Sequence, residues 1–166
     1  MKILVTGCAG FLGYHICDEL LKNNNSTSII GVDNINDYYS QGIKKSRLKD
    51  LKQNKKFFFY RIDISNEKKL KKIFNNHKFE IIIHLAAQAG VRYAFKDPES
   101  YLDSNIKGFL NLVDNLKTNN VKKFIFASSS SVYGEGKKFP QSEEMKPKPI
   151  NIYSSTKLLN EEIIRD

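Results

Sequence analysis

At 166 residues, 40% of them hydrophobic, the chain can bury one core and has room for no more than one ordinary domain. No apolar run approaches the roughly 20 residues of a membrane span, and the start shows no signal-peptide pattern, so no membrane association is expected and a cytoplasmic location is the default. The formal charge of +9 invites a nucleic-acid reading, but the lysines gather at 44–56 and at 68–72, in segments that read as solvated helix faces or loops; no nucleic acid is expected, though the charge can draw in an anionic ligand.

The apolar run at 2–6 predicts a buried strand, and Phe11, Leu12, Ile16, Leu20 and Leu21 recur at helical spacing, predicting a helix over 11–22. Gly7, Gly10 and Gly13 fall where strand becomes helix. A second strand over 28–33 ends in Asp33. The stretch 34–45 reads as a loop carrying Asp37-Tyr38-Tyr39 and leading into a short basic helix. Strands are predicted at 57–62, 80–85 and 123–127, with helices at 67–74 and 101–116. Pro140, Pro147 and Pro149 mark 134–150 as a long surface loop, and a last helix opens near Tyr153. Strand alternating with helix predicts an α/β fold: a doubly wound parallel sheet with right-handed crossovers and helices on both faces. A ligand crevice then lies at the carboxyl ends of the strands, where 7–13, 85–93 and 128–134 all fall. Cys8 and Cys17 form no C-x-x-C or Cys/His cluster, so free thiols are expected and no metal.

The glycines suit a nucleotide. Gly7 allows a tight turn, Gly10 lets backbone approach a pyrophosphate, Gly13 lets helix pack on strand, and the opening helix turns unpaired N–H groups toward phosphate. The spacing is G-x-x-G-x-x-G rather than the commoner G-x-G-x-x-G, and Asp33 supplies the second signal: a carboxylate placed to accept from ribose hydroxyls and to repel a 2′-phosphate, favouring NAD over NADP. Tyr153 and Lys157 lie four apart on one helix face, so the ammonium can stabilise the phenolate of a side chain that otherwise titrates near ~10. Tyr153 is thereby a candidate general base. The serine run 128–131 follows the fifth strand and could hold a substrate oxygen toward it.

Together these segments resemble the amino-terminal part of an extended short-chain dehydrogenase/reductase, the family of nucleotide-sugar epimerases and dehydratases. The likeness rests on Thr6-Gly-Cys-Ala-Gly-Phe-Leu-Gly13, Asp33, Asp63-Ile64, His84-Leu-Ala-Ala-Gln88, Asn105 with Gly108 and Asn111, the serine run through Val132-Tyr133-Gly134, and Tyr153-Ser-Ser-Thr-Lys157. It implies a Rossmann-type domain over 1–166, with NAD held by Gly7, Gly10, Phe11, Leu12, Gly13 and Asp33. Asp63 and Ile64 would contact adenine, and Leu85, Ala86, Ala87, Gln88 and Asn105 would line the cofactor. Asn105 also reads as a polar helix residue bonding nearby backbone. Tyr153 and Lys157 would be base and ribose-binding lysine. The catalytic serine aligns with Ser129, or with Ser128 one residue earlier. Ser130 and Ser131 stand where the family's dehydratases carry Asp-Glu, which favours epimerisation, and Ser130 joins Ser129 as a substrate contact. Gln88-Ala-Gly-Val-Arg-Tyr93, with Asp37-Tyr-Tyr39 and Arg47-Leu48, resembles the UDP-glucuronate 4-epimerase type. Arg92 reads equally as a partner for a diphosphate or uronate and as a surface arginine. The implied reaction is C4 epimerisation of a UDP-sugar by transient oxidation and re-reduction. A related dehydrogenase, reductase or decarboxylase, and a non-catalytic NAD-binding fragment, stay open, since extended members continue into a carboxyl-terminal substrate domain that this sequence lacks. The implied partners are a UDP-sugar and, for a full-length form, a second copy of the chain.

Overall fold

The computed structural model describes residues 1–23, 26–135 and 140–165. Five parallel strands form one sheet in the order β3-β2-β1-β4-β5: β1 (Lys2–Thr6), β2 (Ser28–Asp33), β3 (Phe57–Arg61), β4 (Ile81–His84) and β5 (Lys123–Phe126). The helices are α1 (Phe11–Asn23), α2 (Gln41–Leu51), α3 (Glu67–Asn76), α4 (Glu99–Tyr101), α5 (Gly108–Thr118) and α6 (Ile152–Arg165).

The strand sequences are apolar on both faces because both faces are covered. Ile3 and Val5 of β1 and Ile29 of β2 pack with Cys17, Leu21, Leu48 and Leu51 from α1 and α2. Leu4, Ile30 and Val32 point the other way, onto Leu70, Ile73 and Phe74 of α3 and Leu112 of α5. α3 begins where Asn66 accepts a hydrogen bond from the Lys69 backbone N–H at 3.0 Å, an ordinary N-cap.

The sheet order reverses at β1, which pairs with β2 on one side and β4 on the other, and that reversal opens a crevice at the carboxyl ends. Three strands stop one residue short of their predicted ends, and the residues that follow them, Ile62, Leu85 and Ala127, line that crevice. The loop expected over 34–45 is shorter than predicted: α2 begins at Gln41, since Lys44, Leu48 and Leu51 are buried at helical spacing. The helix predicted over 101–116 starts earlier, at Glu99, and contains a π turn at Leu102–Lys107 that joins α4 to α5 with helical backbone throughout. Of the proline-bearing stretch, 136–139 lie outside the described residues; the rest holds neither helix nor strand. Cys8 and Cys17 are free and buried, and burial pushes the Cys17 thiol up to about 12. None of the described helices is long and apolar enough to cross a membrane.

Candidate active site

A cleft of about 470 Å³ runs along the carboxyl ends of the strands. Near its middle, past the central strand, is the turn after β1. Gly7 takes φ +72, a left-handed conformation, and a Cβ there would meet the Ala86 nitrogen at 2.8 Å. A Cβ at Gly13 would lie 2.1 Å from the Gly7 carbonyl oxygen, so α1 starts closer to the turn than any side chain permits. Phe11 and Leu12 open the helix with backbone N–H groups beyond the reach of a helical carbonyl, and no acceptor serves them among the described residues. Gly7, Gly10, Phe11, Leu12 and Gly13 all line the cleft.

Asp33 borders the same turn. One carboxylate oxygen accepts from the Ala9 N–H at 3.1 Å and the other from the Ile35 N–H at 2.8 Å, so the group is fixed at the end of β2 while it lines the cleft. Asp63 and Ile64, past the end of β3, form the next stretch of wall. Burial raises the Asp63 carboxyl, but hydrogen bonds from Asn34 and Ser65 outweigh it and hold the group below its usual range. Leu85, Ala86, Ala87 and Gln88 continue the wall after β4.

On the β5 side stand Tyr153 and Lys157, on one face of α6. The Lys157 side chain is 3% exposed; its Nζ donates to the Ala127 carbonyl at 2.9 Å and sits 5.9 Å from the centre of the Tyr153 ring. Burial lowers its pKa to about 8. Glycine turn, Asp33 and the Tyr/Lys pair, separated by up to 150 residues in sequence, thus share one cleft.

Four expected site residues do not line it. Asn105 is buried behind the wall: its side-chain oxygen accepts from the Gln88 N–H at 2.8 Å, and its amide donates to the Gln88 carbonyl and to Thr156 Oγ1, each at 3.1 Å. Asn160 of α6 in turn donates to the Asn105 carbonyl, within the π turn, at 2.9 Å. Asn105 therefore ties the loop after β4 to the helix bearing Tyr153. Ser129 is turned to cap the short 3₁₀ turn Ser130–Tyr133, accepting from the Ser131 N–H at 3.2 Å. Ser128 is the serine that reaches the cleft, with its hydroxyl bonded to Glu161. Ser130 and Arg92 are exposed and lie outside the cleft lining.

Several cleft residues have no chemical role that the sequence pattern marks. Lys44 is buried at 5% exposure, donates to the Asn36 carbonyl at 3.0 Å and stacks on Tyr39; burial lowers its pKa. Arg47 donates to the Ala9 carbonyl at 3.3 Å and lies over Phe11. Tyr38 reaches across to Gly90, where φ is +92, and meets Tyr93 edge-on at 5.0 Å. The readable signal was two cations three apart following a strand, but it sat inside a lysine-rich segment. Among the described residues, no group of His, Cys, Asp and Glu side chains could hold a metal ion.

The family model described as GDP-mannose 4,6 dehydratase matches residues 4–166. The chain belongs to that family, within the extended short-chain dehydrogenase/reductases. Protein CapI of Staphylococcus aureus is 44% identical over 164 residues, covering 97% of this chain and 48% of its own. A UDP-glucuronate 4-epimerase of Thermodesulfobacterium geofontis is 45% identical over 155 residues, covering 93% of this chain and 47% of the relative. Among solved structures, UDP-glucuronic acid 4-epimerase from Bacillus cereus, in complex with UDP-glucuronic acid and NAD, superposes with a TM-score of 0.90 at 38% identity, over 99% of this chain and 51% of that one. The chain spans about half the length of the relatives it matches.

Proposed function

We propose that this chain forms the NAD-binding half of a UDP-sugar 4-epimerase of the UDP-glucuronate kind. The observation that carries the reading is the single cleft in which the glycine turn, Asp33 and the Tyr153/Lys157 pair meet. Relatives and solved neighbours bearing that activity in their names support it.

The residues fit a dinucleotide on steric and polar grounds. Gly7 and Gly13 keep the turn free of side-chain bulk, and the unpartnered N–H groups of Phe11 and Leu12 suit a pyrophosphate. Asp33 keeps acceptor capacity for ribose hydroxyls, because each oxygen accepts a single backbone N–H. Asp63 and Ile64, which line the cleft past β3, are assigned to the adenine, and Leu85 to Gln88, which line it past β4, to the rest of the cofactor.

When bound, NAD supplies a ring able to take up and return a hydride. The protein's own part is proton handling and orientation. Tyr153 Oη takes the proton of the sugar hydroxyl and later gives it back, acting as general base and then general acid. The Lys157 ammonium beside it favours the phenolate and offers its remaining donors to ribose. Ser129 is the serine the motif favours for orienting the sugar oxygen, and Ser128 is the one of the run that borders the cleft. The substrate's UDP and sugar would be held mainly outside this half. The chain by itself is accordingly expected to bind NAD and to show little or no epimerase turnover.

The test is conversion of UDP-glucuronate to its 4-epimer by a chain continued past Asp166 to the length of its relatives. Tyr153→Phe should abolish conversion and leave NAD bound, since only the proton-carrying oxygen is lost. Comparing Ser128→Ala with Ser129→Ala identifies the orienting hydroxyl. Near-normal turnover of Tyr153→Phe refutes the assignment, and net NADH production would point to a dehydrogenase.

A further inference from the structure

Lys157 presents a problem that its own helix does not solve. Its ammonium is almost fully buried, yet no carboxylate lies within ion-pair distance of it among the described residues. An ammonium removed from water and left uncompensated gives up its proton or destabilises the fold. One compensating contact is the Ala127 carbonyl at 2.9 Å. Two more are aromatic: Lys157 Nζ lies 4.7 Å from the centre of the Phe126 ring, well inside the range at which a ring's negative face attracts a cation, while the Tyr153 ring at 5.9 Å lies at the edge of that range.

Phe126 is held in place by its neighbours. It stacks on His84 with centroids 5.8 Å apart and planes at 22°, and Phe109 meets it edge-on at 5.2 Å. His84 is itself anchored to Thr6 Oγ1 at 2.7 Å. Burial, and then the charge of Lys157, lowers the His84 pKa to about 3, so the imidazole beneath the ring stays neutral. The titratable groups around the ammonium are Tyr153, one turn earlier on α6, and His84, from β4 behind Phe126. Glu161, one turn later, is bonded to Ser128 and Arg165.

We propose that Phe126 is a positioning residue for Lys157, its ring face holding the ammonium charged and aimed into the cleft beside Tyr153. The proposal rests on reading Lys157 as the cation of the proposed site, and it adds an element on β5 that no polar motif marks. With one donor on Ala127 and the ring beneath, the remaining donors are free for a ribose and for the phenol. Phe126 thereby acts through Lys157 and touches no substrate.

A fluorination series tests it, because fluorine drains the ring's negative face while nearly preserving its shape. Phe126 is replaced in the 166-residue chain by mono-, tri- and pentafluorophenylalanine, with Phe126→Tyr as a variant that keeps an electron-rich ring. Lys157 is followed by NMR of its side chain across pH 6–11. Its titration midpoint should fall stepwise with fluorination, by about half a unit to one unit across the series, and stay near the parent value in Phe126→Tyr. A midpoint unchanged across the series overturns the proposal. NAD affinity is measured alongside at pH 6 and pH 8.5. If NAD binds, fluorination should weaken it at pH 8.5 and leave it unchanged at pH 6, where Lys157 stays protonated; equal weakening at both values marks a merely structural effect and overturns the proposal. If NAD fails to bind even the parent chain, the functional reading fails while the Lys157 titration still decides the role of Phe126.

Discussion

Gly13→Ala and Gly42→Ala make the same chemical change near the starts of two helices, and the structure predicts opposite signs. An alanine in a helix is favoured over glycine by up to about 1 kcal/mol, through lost backbone freedom in the unfolded chain. At Gly42 the new methyl would meet only Ser40 Oγ, at 3.4 Å, so the substitution should stabilise the protein by about 0.5 kcal/mol. At Gly13 the methyl would lie 2.1 Å from the Gly7 carbonyl oxygen and 2.8 Å from Cys8 Cα. Both are backbone atoms, so no rotamer change relieves them, and α1 must retreat by about an ångström from a well-packed face. Overpacking of this kind costs about 1–3 kcal/mol, occasionally more, and exceeds the propensity gain. A net loss of about 2 kcal/mol is expected, which lowers the urea midpoint by about 1 M at an ordinary denaturant sensitivity. Equilibrium urea unfolding followed by circular dichroism reads both variants. A Gly13→Ala protein as stable as its parent would refute the close approach and, with it, the cradle argued for the pyrophosphate.

Lys157 should cost stability at neutral pH and less in alkali. Its folded pKa of about 8 lies below the ordinary 10.5, so folded and unfolded chains are equally protonated below about 8 and the full penalty of burying the cation applies there. Between those values the unfolded chain binds more protons, and stability from this group rises with pH by an amount on the order of 3 kcal/mol. Lys157→Met should be more stable than its parent at pH 7, with the difference shrinking toward pH 10; a difference independent of pH would contradict the assignment. Asn105→Ala should lose about 2–4 kcal/mol, because it leaves the buried N–H and carbonyl of Gln88 without their partners. A loss under about 0.5 kcal/mol in chemical denaturation would show that the link between the loop after β4 and α6 is not rigid.

The frame of the molecule is legible in residue order. Lys2–Thr6, Ser28–Asp33 and Ile81–His84 are apolar on both faces because helices cover both, and the glycines at 7 and 13 mark a place where backbone approaches backbone closely. The positions of Asp33, Tyr153 and Lys157 in one cleft follow from strand ends and helix spacing. Other features depend on packing that no local pattern states. Lys44 reads as one more solvated lysine, and only burial against the loop after β2 makes it part of the cleft and starts α2 at Gln41. The π turn at Leu102–Lys107 is hidden because its residues also satisfy ordinary helical spacing, and within it Ser104 lines the cleft while Asn105 is buried behind the wall. Ser128 and Ser129 differ by one residue in a run of identical side chains, and only the fold distinguishes Ser129, which caps the 3₁₀ turn, from Ser128, which borders the cleft.

The central claim is that this chain holds a dinucleotide by its glycine turn and selects it by Asp33. Calorimetric titration of the 166-residue chain with NAD and with NADP, repeated on Asp33→Asn, tests it most directly. The account predicts saturable binding with NAD clearly tighter than NADP in the parent, and a gap that narrows once the carboxylate facing the 2′ position is neutral. Equal affinities in the parent, a preference for NADP, or no binding of either by a folded chain would contradict it.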